Sequence, residues 1–181
     1  ENIQTNLLEK YQKNKLINKK NNNVFTDKSL ENFFYIDFIK LIFPNAKVIN
    51  CERKPISSIM SILKNNLIRI SWAHNLDHIF KYFDNYYQII KYWNKKFPNF
   101  VYHLQYEKLV SDPELESRKL LHYCNLDWSK ECLEFYKRDN IISKTASSMQ
   151  IRKPIYIDSL DKYYPYKKLL SIYSDKYSWF N

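Results

Sequence analysis

The spacing of apolar residues along the chain predicts short strands that alternate with longer helices. Over residues 75–97, apolar side chains recur every three or four positions, which is typical of a helix with one buried face. Two short runs, KVINCE at 47–52 and FVYHLQY at 100–106, favour strands instead. Because strands that alternate with helices usually pair in parallel, the pattern predicts an α/β fold with a parallel sheet.

Other segments carry signals for further helices. Proline at the first helical position favours helices over 55–66 and 113–124, the second capped by Asp112 and burying Leu115. The segment 30–43 is apolar nearly all round, so we expect a fully buried helix there. Helices are also predicted over 5–20, 129–138 (with Ser129 as its cap) and 165–175. Irregular structure is predicted over 67–74 and in the polar tail from 139 to the last helix.

Composition describes a globular chain of about one domain. Its 181 residues are 45% hydrophobic and 17% aromatic, enough to build a core. No run approaches the roughly 18 apolar residues of a spanning helix, and residues 1–20 lack the pattern of a signal peptide. The sequence therefore predicts no membrane segment and a cytoplasmic location.

Candidate metal ligands are few. The three cysteines are odd in number and lack CxxC spacing, which favours reduced thiols over disulfides or a zinc site. His74 and His78 would share one face if their segment is helical, and such a pair can bind a metal. The HNLDH segment lacks the glutamate of the HExxH motif, so a surface pair is the favoured interpretation.

Charge and glycine content narrow the choice of ligand. A formal net charge of +10 points to an anionic partner. The lysines are spread over every segment, which favours a dispersed positive surface over a nucleic-acid interface. The chain contains no glycine, which excludes a complete Walker A loop or a GxGxxG dinucleotide site.

The end of the first predicted strand is the best candidate for an anion site. Arg53 follows KVINCE directly, and ligands of parallel sheets bind beyond the carboxyl ends of the strands. The helix start that follows would add free N–H groups and a positive dipole end. Ser61, two turns inside that helix, could donate to the same anion. A strand-end arginine paired with a surface acid explains the position equally well.

Three stretches resemble the sulfotransferase family, most closely bacterial and tyrosylprotein sulfotransferases. They are TDKSLENFFYIDFIKLIFPNAKVINCERKPISSIMS, LQYEKLVSDPELESRKLLHYCNLDW and KTASSMQIRKPIY, which together cover about residues 24–166. The resemblance implies the three-layer α/β fold shared with P-loop nucleoside kinases. It also implies transfer of a sulfuryl group from 3′-phosphoadenosine 5′-phosphosulfate to a hydroxyl or amine acceptor, without a metal.

The resemblance also assigns roles to individual residues. Arg53 and Ser61 have the family's eight-residue spacing and would hold the 3′-phosphate of the donor. Tyr106 corresponds to a tyrosine near the adenosine, and Lys28 to a lysine near the transferring group. From their sequence context alone, Tyr106 could equally be a core aromatic with a solvated hydroxyl, and Lys28 a surface residue.

A basic segment resembles the family's loop that folds over the nucleotide. It spans 144–156, where Ser147, Arg152 and Lys153 would contact the donor. The alternative is a solvated basic loop. Glu107, next to the adenosine-side tyrosine, is expected to organise the turn rather than to take part in chemistry.

Residues 1–23 match the family poorly. Family members begin with a strand and a glycine-containing loop that cradles the 5′-phosphosulfate, and neither is recognisable here. We therefore expect one sulfotransferase-like domain over 1–181, partial at its N-terminus, with a small sheet whose exposed edge could support an oligomer. The donor's 3′-phosphate site would be retained. The alternative function is a non-catalytic module that binds a nucleotide or polyanion.

Overall fold

The computed structural model describes residues 2–14, 17, 24–138, 152–155 and 163–180. The chain divides into two compact units, Glu1–Val48 and Ile49–Asn181. The first unit contains helix α1 (Asn2–Lys13) and helix α2 (Ile36–Ile42), the latter preceded by a 3₁₀ turn, Asn32–Tyr35. The first helix ends well before residue 20, where the sequence pattern predicted its end.

The expectation of a fully buried helix over 30–43 is wrong. Ile36 and Ile42 are buried, whereas Phe38 is exposed and Leu41 keeps 78% of its surface exposed. A helix is buried on all sides only when other elements enclose it. Within the described part of this unit, α1 and the turn before α2 are the only other regular elements, so much of the apolar surface stays uncovered.

The second unit is built on a parallel sheet. Strand β1 (Val48–Glu52) pairs with strand β2 (Val101–Gln105), and these are the two strands of the described residues. Asn50 contacts His103 and Lys54 contacts Glu107, both pairs being 53 positions apart. Since the partners advance in the same direction along both segments, the strands are parallel, as predicted.

Helices α3 (Pro55–Asn65) and α4 (Leu76–Lys96) form the crossover between the strands. Proline opens α3, and Asn66 ends it in the left-handed conformation with φ of 43°. The N–H of His78 donates to the side chain of Asn75 over 3.2 Å, which caps α4. The predictions over 55–66 and 75–97 are thus confirmed to within one or two residues.

Helices pack on both sides of strand β2. His103 of β2 contacts Asn94 of α4, with 3.1 Å between Nε2 and Oδ1. On the opposite face, Tyr102 packs against Tyr123, whose ring centroid is 5.0 Å away, in helix α6 (Pro113–Tyr123). A six-residue helix, α5 (Tyr106–Ser111), connects β2 to α6. The result is the helix–sheet–helix layering implied by the family resemblance.

The main core joins the crossover helices to the C-terminal segment. Its buried members come from α3, α4 and the region after 163: Ile59, Ile79, Phe80, Leu170, Tyr173, Tyr177 and Phe180. The predicted last helix near 165–175 is a run of 3₁₀ structure, Tyr164–Tyr173, followed by a shorter turn, Ser178–Phe180. The end of the chain is therefore part of the core.

Two details of the remaining helices differ from the sequence pattern. Asp112 caps α6 as predicted, accepting from the N–H of Leu115 over 3.1 Å, but the Leu115 side chain is 47% exposed rather than inward. The predicted helix over 129–138 is replaced by two 3₁₀ turns, Lys130–Cys132 and Phe135–Lys137. Across the described ranges, no helix combines the length and apolar character needed to cross a membrane.

Candidate functional site

The candidate site is the turn at which β1 passes into α3. Arg53 and Lys54 connect the two elements, and α3 begins at Pro55. On the neighbouring strand, β2 passes directly into α5 at Tyr106. Because the strands are parallel, both turns lie at the same edge of the sheet, where ligands of such sheets bind.

The structure brings together two of the predicted site residues. The guanidinium carbon of Arg53 lies 4.6 Å from the centroid of the Tyr106 ring, and both side chains are partly buried. A cation over the face of an aromatic ring is attracted by the ring's quadrupole, and the contact restricts the rotamers of the arginine. The Arg53 guanidinium is thus held at the strand end.

A hydrogen bond fixes the turn behind this pair. The N–H of Lys54 donates to Glu107 Oε1 over 2.9 Å, which confirms the prediction that Glu107 organises the turn. The N–H groups of Ser57 and Ser58 donate to the Lys54 carbonyl over 3.0 and 3.2 Å, and Pro55 has no N–H. The expectation that this turn offers several free N–H groups is therefore wrong, since most are used within the protein. Positive charge here comes from the side chains of Arg53 and Lys54.

Ser61 lies further along α3. The side chain of Asn65 donates to Ser61 Oγ over 3.1 Å and to the Ser61 carbonyl over 2.8 Å. Ser61 is six positions after Pro55, which corresponds to about 9 Å along the helix axis. An anion that touched both Arg53 and Ser61 would lie along the side of α3 rather than at its end.

A polar network that the sequence pattern did not reveal lies beside the site. Tyr86 of α4 donates to Asn50 Oδ1 over 2.9 Å, and the Asn50 amide donates to Glu52 Oε1 over 3.0 Å. The same Glu52 oxygen is 2.6 Å from His103 Nδ1. The other ring nitrogen of His103 reaches Asn94. These contacts connect β1, β2 and α4.

The network inverts the usual pattern of a half-buried strand. In β1 the polar Asn50 and Glu52 are partly buried, whereas Cys51 is exposed and Ile49 is 39% exposed. The sequence signal for this network is the alternation of apolar and polar residues within VINCE. The sequence alone does not show which of the two sets faces the helices. Burial raises the pKa of Tyr87, on the same side of the sheet, to about 12, with Glu52 contributing in the same direction.

The remaining predicted site residues lie in other segments of the chain. Lys28 is exposed, in a segment without regular structure in the first unit, and its role stays a prediction. Arg152 and Lys153 are exposed within the short described segment 152–155. Ser147 lies outside the described residues.

The two histidines of the HNLDH segment lie at the surface. His74 ends a 3₁₀ turn and His78 belongs to α4, and both side chains are exposed. Among the residues whose placement is described, no three His, Cys, Asp or Glu side chains come together as a potential metal site.

Comparisons with known proteins agree with this fold. The sequence model of the sulfotransferase family matches residues 3–130, a range that begins before the first of the three stretches described above. An uncharacterized protein of Aquifex aeolicus (strain VF5) is 37% identical over 149 residues, which are 80% of this chain and 19% of that protein. The chain thus spans about a fifth of the length of the curated relative that it matches.

Among solved structures, the sulfotransferase domain from the curacin biosynthetic pathway is similar. It superimposes with a TM-score of 0.63 at 20% sequence identity, covering 82% of this chain and 60% of that one. At this identity the likeness shows the fold. Since the family model matches well over half of the residues, the chain belongs to the sulfotransferase family.

Proposed function

We propose that this chain binds 3′-phosphoadenosine 5′-phosphosulfate and forms part of an enzyme that transfers its sulfuryl group to a hydroxyl or amine acceptor. The observation that carries the proposal is the placement of Arg53 over Tyr106 at the carboxyl edge of the parallel strands. Family membership supports the sulfuryl-transfer chemistry, and the contact between Arg53 and Tyr106 supports the choice of this edge for the donor.

The geometry suits a phosphate monoester. A guanidinium offers two parallel N–H donors that match two phosphate oxygens, an arrangement that a lysine cannot reproduce. The tyrosine ring beneath the guanidinium and the Glu107 bond to the turn restrict the site before the ligand arrives. Pre-ordered groups lose less conformational entropy on binding, so affinity for the 3′-phosphate rises. Ser61, along the side of α3, would complete this half of the donor site.

The transfer itself needs alignment and charge stabilisation. The acceptor oxygen or nitrogen forms a bond to sulfur while the bond from sulfur to the bridging oxygen breaks, releasing 3′-phosphoadenosine 5′-phosphate. The acceptor's proton leaves to a base or to solvent. Lys28 is proposed to stabilise negative charge on the bridging oxygen, as a fixed ammonium would. Ser147, Arg152 and Lys153 are proposed to neutralise phosphates from a loop over the nucleotide.

Calorimetric titration tests the donor site directly. Wild-type protein is titrated with 3′-phosphoadenosine 5′-phosphate and with adenosine 5′-monophosphate, which lacks the 3′-phosphate. We expect a clear preference for the first ligand in the wild type and loss of most of it in Arg53→Ala. Arg118→Ala is the matched control, because Arg118 also lies over an aromatic ring, 3.7 Å from the centroid of Trp128, but on α6. Its preference should equal that of the wild type.

Other outcomes would overturn the proposal. Equal affinity for both nucleotides in the wild type would mean that no 3′-phosphate site exists. A preference that survives Arg53→Ala would place the site elsewhere. Binding that tolerates many unrelated anions and weakens steeply with added salt would favour the alternative, a polyanion-binding module.

A further inference from the structure

The turn that carries Arg53 lies between two contacts that join the β1 segment to the β2 segment. On one side, Glu52 Oε1 is 2.6 Å from His103 Nδ1. On the other, Glu107 accepts from the Lys54 N–H over 2.9 Å. The second contact gives Glu107 the turn-organising role that its sequence position suggested. The first uses two ionisable side chains that neither the family resemblance nor the proposed chemistry assigns.

The Glu52–His103 contact is directional and well supported. Its length is that of a charge-assisted hydrogen bond. The same carboxylate oxygen accepts from the Asn50 amide over 3.0 Å, and His103 is braced on its other nitrogen by Asn94 over 3.1 Å. Three elements, β1, β2 and α4, therefore determine where the Glu52 carboxylate lies.

A carboxylate in this position is costly for an anion site. Glu52 immediately precedes Arg53, so its charge opposes a phosphate bound to the guanidinium. Successive side chains of a strand point to opposite faces, which directs Glu52 toward α4. Arg53, beyond the last residue of β1, is instead directed over the Tyr106 ring. Without His103, only the Asn50 amide among the contacts given above would hold the carboxylate on the α4 side. More side-chain rotamers of Glu52 would then be accessible, including ones that bring its charge closer to the guanidinium.

We propose that His103 is a positioning residue of the donor site and that it acts through the competing charge of Glu52. His103 holds the Glu52 carboxylate on the α4 face of the sheet, so that it does not compete with the donor's 3′-phosphate for Arg53. This inference rests on the proposed function. It adds that the affinity for the 3′-phosphate depends on a histidine that does not itself touch the nucleotide.

The inference predicts that one substitution reverses the effect of another. His103→Leu fills the volume of the ring but donates no hydrogen bond, so the carboxylate is released. We expect the preference for 3′-phosphoadenosine 5′-phosphate over adenosine 5′-monophosphate to fall about tenfold, within the usual range for coupled charged neighbours. Glu52→Gln should keep the wild-type preference. The double variant Glu52→Gln/His103→Leu should recover most of what His103→Leu loses, because the competing charge is gone.

Two further variants complete the titration series. His103→Gln keeps an N–H donor near Glu52 and should retain most of the preference. Glu116→Gln removes the negative charge from a different acid–base contact, the 2.6 Å bond to Lys119 within α6, and serves as the matched control for Glu52→Gln. It should leave the preference unchanged even if the thermal unfolding temperature falls. Should His103→Leu fail to fold, His103→Ala carries the same expectations.

The results separate this inference from the proposed function. A wild type without preference for the 3′-phosphate overturns the proposed function and the inference with it. A wild type with the preference, together with a His103→Leu variant that keeps it, overturns only the inference. So does a double variant as weak as His103→Leu, because a purely structural contact would give that result.

Discussion

Replacement of Phe80 by alanine tests whether the end of the chain belongs to the core. The Phe80 ring, with 0% of its surface exposed, stacks on Tyr173 with 3.9 Å between centroids. It also contacts Tyr177, Trp179 and Phe180 at 5.4, 5.6 and 5.0 Å. Removing a buried phenylalanine costs about 3–5 kcal/mol. The cost for Phe80 should not fall at the lower end of that range, because its aromatic contacts add about 0.5–1.5 kcal/mol beyond burial.

We therefore expect Phe80→Ala to lower the free energy of unfolding by about 4 kcal/mol, a large share of the ~5–15 kcal/mol of an ordinary domain. Urea unfolding followed by tryptophan fluorescence measures it, and Trp179 lies in the same cluster. Tyr92→Ala is the control: Tyr92 is an exposed aromatic of the same helix, and its loss should change stability by less than about 1 kcal/mol. If both variants lose the same small amount, the C-terminal segment does not close this core.

Two further predictions concern a helix cap and alkaline pH. Asp112→Ala removes the side-chain acceptor for the Leu115 N–H and should cost about 1 kcal/mol in urea unfolding; Asp112→Asn, which keeps an acceptor, should cost much less. Burial raises the pKa of both Tyr86 and Tyr87 in the folded protein. A raised folded pKa contributes stability that is complete below the unfolded value of about 10 and is lost as pH rises through the folded value. Stability should therefore fall above about pH 10, and less steeply in Tyr87→Phe, as measured by urea unfolding at several alkaline pH values. An unchanged slope in that variant would contradict the assignment.

Local signals account for the parts of the fold that the sequence predicts well. A proline at the first position and an asparagine in the left-handed conformation mark both ends of α3 within the chain itself. The apolar spacing of α4 runs through five turns, long enough to define its buried face without knowledge of its partners. The strands were recognisable for the same reason, since each is a short apolar run next to a helix start.

The C-terminal segment could not be predicted in the same way, because its structure depends on distant residues. Leu170 and Tyr173 are buried against residues of α3 and α4 that lie about a hundred positions earlier in the chain. Their apolar neighbours Leu169 and Ile172 are exposed, so the local pattern does not show which apolar side chains are buried. In addition, 3₁₀ structure lacks the helical spacing that the pattern detects. Leu41 of α2 shows the opposite error. Its apolar surroundings in the sequence predict a buried side chain, but the side chain is exposed.

For the candidate site, the sequence predicted the positions but not the contacts. Arg53 follows a strand and Glu107 follows the next, which is enough to place both at one edge of a parallel sheet. Their partners depend on how far β2 is displaced along β1. The sequence predicts each strand separately and does not give their relative displacement. This displacement decides which side chains of the two strands are in contact.

The polar network resolves this displacement in physical terms. With partners 53 positions apart, His103 lies beside Asn50 and Glu52, and Glu107 reaches the Lys54 N–H. A shift of one residue would move His103 to the opposite face of the sheet, because side chains alternate along a strand. Glu52, which is only partly buried, would then lose its short contact with His103 and with it the contribution of that hydrogen bond to stability. The register that buries this network is therefore also the register that places Tyr106 beneath Arg53, so the contacts that specify the pairing of the strands also build the candidate donor site.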